Sequence, residues 1–144
     1  MTDVIGKTGW EHFPHEADMG VRGYGATKEE AFENAAMALT AIITDLEKVA
    51  LNEQIEIECE GVDDEMLLVD WLSNLIFEMD TRGMLFGRFE VHIEGNILKA
   101  KAWGEKVDVA KHQPAVEVKG ASYTMLSVRQ EKDGSWTAQC VVDV

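Results

Sequence analysis

Two stretches of the chain repeat their apolar residues at helical spacing. Ala31, Phe32, Ala35, Ala36, Leu39, Ile42 and Ile43 recur at intervals that gather them on one face at 3.6 residues per turn. Thr27, followed three places later by Glu30, makes a capping box and predicts where this helix starts. The second stretch opens near Asp63-Asp64 and carries Leu68, Trp71, Leu72, Leu75, Ile76 and Met79. It stops before Gly83, a residue suited to a left-handed cap. Its apolar face is wide, so a sheet is expected to cover most of it.

Elsewhere the repeat is two. Ile55, Ile57 and Cys59 alternate with Gln54, Glu56, Glu58 and Glu60, and Phe89, Val91 and Ile93 alternate with Glu90, His92 and Glu94. Gly95-Asn96 supplies a two-residue turn into Leu98, Ala100 and Ala102, which predicts a hairpin. Val116 and Val118 open a further strand that resumes from Tyr123 to Val128. Asp133-Gly134 then turns the chain into a last strand, Trp136 to Val142. Two principal helices packed on antiparallel strands in a two-layer arrangement make an α+β fold. No linker, repeat or low-complexity tract interrupts the 144 residues, so the expectation is one domain spanning 1–144.

Charge narrows the function classes. Thirteen Lys and Arg stand against 27 Asp and Glu, a formal charge of −14. Such a surface repels phosphate backbones and anionic lipid, which argues against direct nucleic-acid or membrane binding and favours cations or basic protein partners. No apolar run is long enough to cross a bilayer, and Met1-Thr2-Asp3 does not begin a secretory signal pattern. Cys59 and Cys140 lie on alternating stretches without CxxC spacing, as small core residues would. A single disulfide between them stays open, but nothing in the spacing requires it. The expectation is a cytoplasmic protein with reduced thiols.

The densest polar cluster is His12-Phe13-Pro14-His15-Glu16-Ala17-Asp18-Met19-Gly20, where Pro14 and Gly20 indicate turn or strand. Read from its residues alone, this is either a solvated loop whose Asp18 caps a turn or part of a metal or catalytic site. The chain's last strand stays apolar and alternating almost to Val144, as though that end were held in place. Asp143 and the α-carboxylate of Val144 offer several hard oxygen donors. If Asp18 approaches them, three carboxylates converge and repel, which a cation would relieve. Oxygen-only donors suit Ca²⁺ or Mg²⁺ rather than Zn²⁺. The plainer reading of Asp143, a solvated terminal residue, is the one its position alone favours. Glu105, Asp108 and His112 could form an acid/base set or simply a charged surface loop. Met66, Met79 and Met84 fall where core residues are expected. Walker, GxGxxG, GxSxG and zinc-type spacings are absent from the sequence.

Three segments together resemble the archease family: His15-Glu16-Ala17-Asp18-Met19-Gly20, Gly104-Glu105 with Asp108 and His112 leading to Val118-Lys119-Gly120-Ala121, and the ending Trp136 to Asp143-Val144. Leu67-Leu68-Val69-Asp70-Trp71-Leu72-Ser73-Asn74-Leu75-Ile76 matches the family's central helix. The resemblance implies an accessory protein, not an enzyme. Its partner would be an RtcB-type RNA ligase, whose guanylylation and multiple turnover it would promote in tRNA splicing or RNA repair. It also implies a metal site, calcium typically, at Asp18, Asp143 and Val144, with His15, Glu16 and Lys119 as partner contacts. The family often carries Tyr-His where this chain has Tyr123-Thr124. Two rival classes stand beside this reading. A general chaperone would expose a large apolar or Met-rich surface, and a metal-dependent hydrolase would use Asp18, His15 and Asp143 around a catalytic ion.

Overall fold

Residues 9–144 are described by the structure, a computed structural model; the reading made at Met1-Thr2-Asp3 lies outside them. In chain order they form β1 (Gly9–His15), β2 (Asp18–Gly25), α1 (Lys28–Ile43), β3 (Glu53–Glu60), α2 (Asp64–Arg82), β4 (Met84–Glu94) and β5 (Ile97–Lys106). A single helical turn α3 (Val109–His112) follows, then β6 (Gly120–Ala121), β7 (Ser127–Gln130) and β8 (Trp136–Asp143). Every strand pairing is antiparallel. One sheet runs β1-β2-β8-β6, with β7 also on β8, and the other runs β3-β5-β4. Both long helices touch strands of both sheets, so the fold is α+β as the periodicities predict.

The caps fall where the sequence places them. The Thr27 hydroxyl accepts from the Glu30 N–H at 3.1 Å. The Glu30 carboxylate accepts from Ala26 N–H rather than from Thr27, one residue outward of the usual capping box. Asp63 caps α2 by accepting from Met66 N–H at 2.8 Å, and Gly83 ends it at φ +62. Between helices and sheets, Trp71, Phe32 and Phe86 are wholly buried. The Trp71 indole N–H finds the Phe32 carbonyl at 3.1 Å, which satisfies the one polar atom that ring brings into the core.

The segment before β6 departs from the alternating pattern. Val116 and Val118 belong to no strand, β6 holds only two residues, and β7 starts at Ser127 rather than Tyr123. Pro114 has no N–H to give a ladder. The backbone around it bonds elsewhere: Ala115 N–H donates to Ile43 O at 2.8 Å and Lys119 N–H to Asp143 O at 2.8 Å. Met125, at φ +55, bends the later stretch out of strand geometry. Met79 and Met84 are core residues as expected, whereas Met66 is half-buried. Cys59 and Cys140 are buried free thiols, both pushed up to about 12 chiefly by burial, with Asp70 adding to the effect at Cys59. Among the described residues no helix is long and apolar enough to cross a membrane.

A candidate metal and partner site at the acidic corner

The β1–β2 hairpin turns at Glu16-Ala17, with Glu16 at φ +54, and sets His15 directly opposite Asp18. On the other side of β2, Met19 pairs with Val142 of β8. One residue further along that register, Asp143 stands abreast of Asp18. Side chains of residues directly opposite share a face, so His15, Asp18 and Asp143 form a row across three strand ends. The chain's last residue closes the corner: Val144 N–H donates to Asp18 Oδ1 at 3.4 Å, between positions 126 apart in sequence. Val144 packs its side chain against the core, which holds this end of the chain in place.

The remaining sequence-level candidates gather around the same corner. Gly120 pairs with Asp143, and Lys119 N–H donates to the Asp143 carbonyl, so Lys119 flanks the acidic row. Among the described residues its ammonium forms no ion pair. His15 Nδ1 lies 3.8 Å from Glu16 Oε2, a loose pair in which the glutamate is largely solvated. Two neighbours escaped the sequence reading. His12 donates from Nε2 to Ala38 O of α1 at 2.7 Å, tying β1 to the helix. Val116 joins His12, Asp18 and Val144 in lining a cleft of about 250 Å³. Neither had a signal: His12 reads as one more polar residue in a polar run, and Val116 as a strand residue.

The oxygen donors that could serve a cation at this corner are the carboxylates of Asp18 and Asp143. That set fits a hard divalent cation such as Ca²⁺, which takes carboxylate oxygens in flexible geometry. Two like charges abreast on neighbouring strands also repel, which a cation would offset. No group of three or more His, Cys, Asp and Glu side chains among the described residues is gathered so that it could hold a metal ion.

Glu105, Asp108 and His112 come together too, but as a clasp whose groups are occupied. His112 is 1% exposed. Its Nδ1 accepts from Asp108 N–H at 2.9 Å, which puts the ring proton on Nε2, and Nε2 donates to Glu105 Oε2 at 2.9 Å. The same glutamate oxygen takes Ala50 N–H at 2.9 Å and Lys111 Nζ at 2.6 Å. Asp108 spends its carboxylate on Lys111 N–H, capping α3. The acid/base reading therefore gives way to a structural one, because both His112 ring nitrogens and Glu105 Oε2 are engaged within the protein. The Ala50 N–H, Lys111 and His112 together lower the Glu105 carboxyl from the usual 4.5 to about 2. A depressed carboxyl contributes stability that is present above about pH 4.5 and lost as the pH falls toward 2. Glu105→Gln is expected to flatten the fall of the urea midpoint between pH 4.5 and 2. Parallel acid limbs for the two proteins would show that the clasp does not depend on charge.

The model of the Archease protein family (MTH1598/TM1083) matches residues 10–144. The chain belongs to the archease family. A protein archease of Pyrococcus furiosus is 45% identical over 139 residues, covering 94% of this chain and 98% of the relative. That of Pyrococcus abyssi is 47% identical with the same coverage. The solution structure of protein 1598 of Methanobacterium thermoautotrophicum superposes with a TM-score of 0.83 at 36% identity, over 94% of this chain and 99% of that one. The crystal structure of a Thermotoga maritima archease, described as a possible chaperone, shares the fold at 21% identity, with a TM-score of 0.60 over 92% and 94% of the two chains. The archease likeness read from those segments and from the central helix is borne out over residues 10–144.

Proposed function

We propose that this archease-family chain is an accessory protein of an RtcB-type RNA ligase rather than an enzyme. On this reading it promotes guanylylation of the ligase, and so its multiple turnover in tRNA splicing or RNA repair. The observation that carries the reading is the meeting of Asp18 with the end of the chain, which supplies a corner of oxygen donors at the tip of a sheet. Asp18, Asp143 and Val144 would hold a divalent cation, Ca²⁺ by the chemistry of the donors. Such an ion, when bound, supplies positive charge that lets the carboxylates stand together. His15, Glu16 and Lys119 surround the corner and would contact the partner. A ligase that handles RNA needs basic surface, and a chain of charge −14 is steered toward it.

The test is ligase guanylylation with GTP, run with the wild-type protein and with a chain lacking Val144. The full chain is expected to raise the yield and the shortened chain to lose most of that gain. Equal stimulation by both would remove the corner from the mechanism. A chaperone reading makes a different forecast, suppression of aggregation of an unrelated unfolded protein at stoichiometric ratio. Burial of Met79 and Met84 takes two of the apolar side chains such a surface would use.

A further inference from the structure

Val116, 41% exposed, borders two clefts. One holds Asp18 and Val144. The other, of about 140 Å³, lies between the C-terminal ends of α1 and α2 and the irregular segment before β6. Ile43, Ile76, Met79 and Val107 form its apolar wall, and Asp80 and Glu117 stand at it as the charged residues. Neither carboxylate forms an ion pair among the described residues, and no Lys or Arg lines either cleft. An apolar hollow with unpaired negative charge selects its occupant by chemistry. A cavity of about 150 Å³ admits a benzene-sized group, so this one has room for a single large apolar side chain. The carboxylates favour Lys or Arg on either side of it. A second copy of this chain, itself at −14, would bring the wrong charge.

We infer that this second cleft is a docking pocket for the ligase, taking one apolar side chain that is flanked by basic residues. The inference rests on the proposed ligase partnership and adds the surface that anchors it. Docking there sets the acidic corner, one residue's width away across Val116, at a fixed place on the partner. Binding and activation are then separate duties of neighbouring surfaces. Apolar anchors in desolvated pockets commonly dominate an interface, and charges at the rim mainly set approach rate and salt dependence.

The experiment measures binding of purified ligase to immobilised protein, alongside calcium titration of the free protein by calorimetry. Val107→Arg fills the hollow with a longer side chain, and Asp80→Lys cancels its charge against Glu117; both positions are exposed, so the fold should survive. Val107→Arg is expected to weaken ligase binding at least tenfold, and Asp80→Lys to weaken it and reduce its salt dependence, with calcium binding unchanged in both. If Val107→Arg and Asp80→Lys bind as tightly as the parent, the pocket assignment is overturned while the partnership stands. If the wild-type protein fails to bind ligase at all, the partnership and the pocket fall together. A self-association abolished by Val107→Arg in sedimentation would assign the cleft to a second copy and also overturn the proposal.

Discussion

Asp18→Ala is expected to cut stimulation of ligase guanylylation roughly 10- to 100-fold, since contacts to a charged group are worth about 1.5–3 kcal/mol. The loss should come without unfolding. Asp18 is half-buried, and its carboxylate accepts only a long 3.4 Å hydrogen bond from Val144 N–H among the described residues, so the fold depends on it little. The thermal melt separates the two roles by sign. Without divalent ions, Asp18 and Asp143 are like charges abreast, a pairing that costs about 0.2–1 kcal/mol. The variant should therefore melt at or slightly above the wild type. With calcium at a hundred times its dissociation constant, the wild type should gain about 2.7 kcal/mol, and the variant should gain much less. Equal calcium shifts in the two melts would mean that the ion does not bind at Asp18, and the proposed corner would lose its chemistry.

Gly23→Ala is expected to destabilise the fold by about 3 kcal/mol, the upper part of the range for overpacking a core. A methyl group there would lie 2.2 Å from the Ala31 carbonyl oxygen and 2.2 Å from the Ala35 nitrogen. Both are backbone atoms of α1, so no side-chain rotation relieves the collision. Either α1 lifts from β2 or the strand shifts. For a domain of this size the cost corresponds to a fall in melting temperature of very roughly 6–12 °C. The same shift would move the strand that carries Asp18, so a folded remnant should also show weakened calcium binding. A melting temperature unchanged by the added methyl would mean that α1 does not rest directly on β2.

Much of the local structure was legible because its causes are local. Thr27 and Asp63 each accept a backbone N–H three residues ahead, and Gly83 takes a left-handed backbone, all within one turn of the residues that signal them. Alternation along Ile55, Ile57 and Cys59, and the turn at Gly95-Asn96, likewise depend on near neighbours. The segment from Val116 to Val118 failed the same test, since two valines resemble a strand while the flanking Ala115 and Lys119 N–H groups donate to Ile43 and Asp143. At the candidate site the residue types were readable from the chain itself, whereas the assignment of Asp18, Asp143 and Val144 as one group came only from the family resemblance. Glu105, Asp108 and His112 looked like an open acid/base set until burial and four occupied contacts made them a clasp.

By itself the sequence determined the two long helices, their caps, most of the strands, the acidity of the surface and the family likeness. Only the tertiary structure decided that β8 lies against β2 in the register that brings Val144 to Asp18, and that Gly23 lets α1 sit on that strand. The reason is range. A cap or an alternating strand is stabilised by atoms a few residues away, whereas a pairing across 126 positions must repay loop closure through the whole buried core, a sum no short window contains.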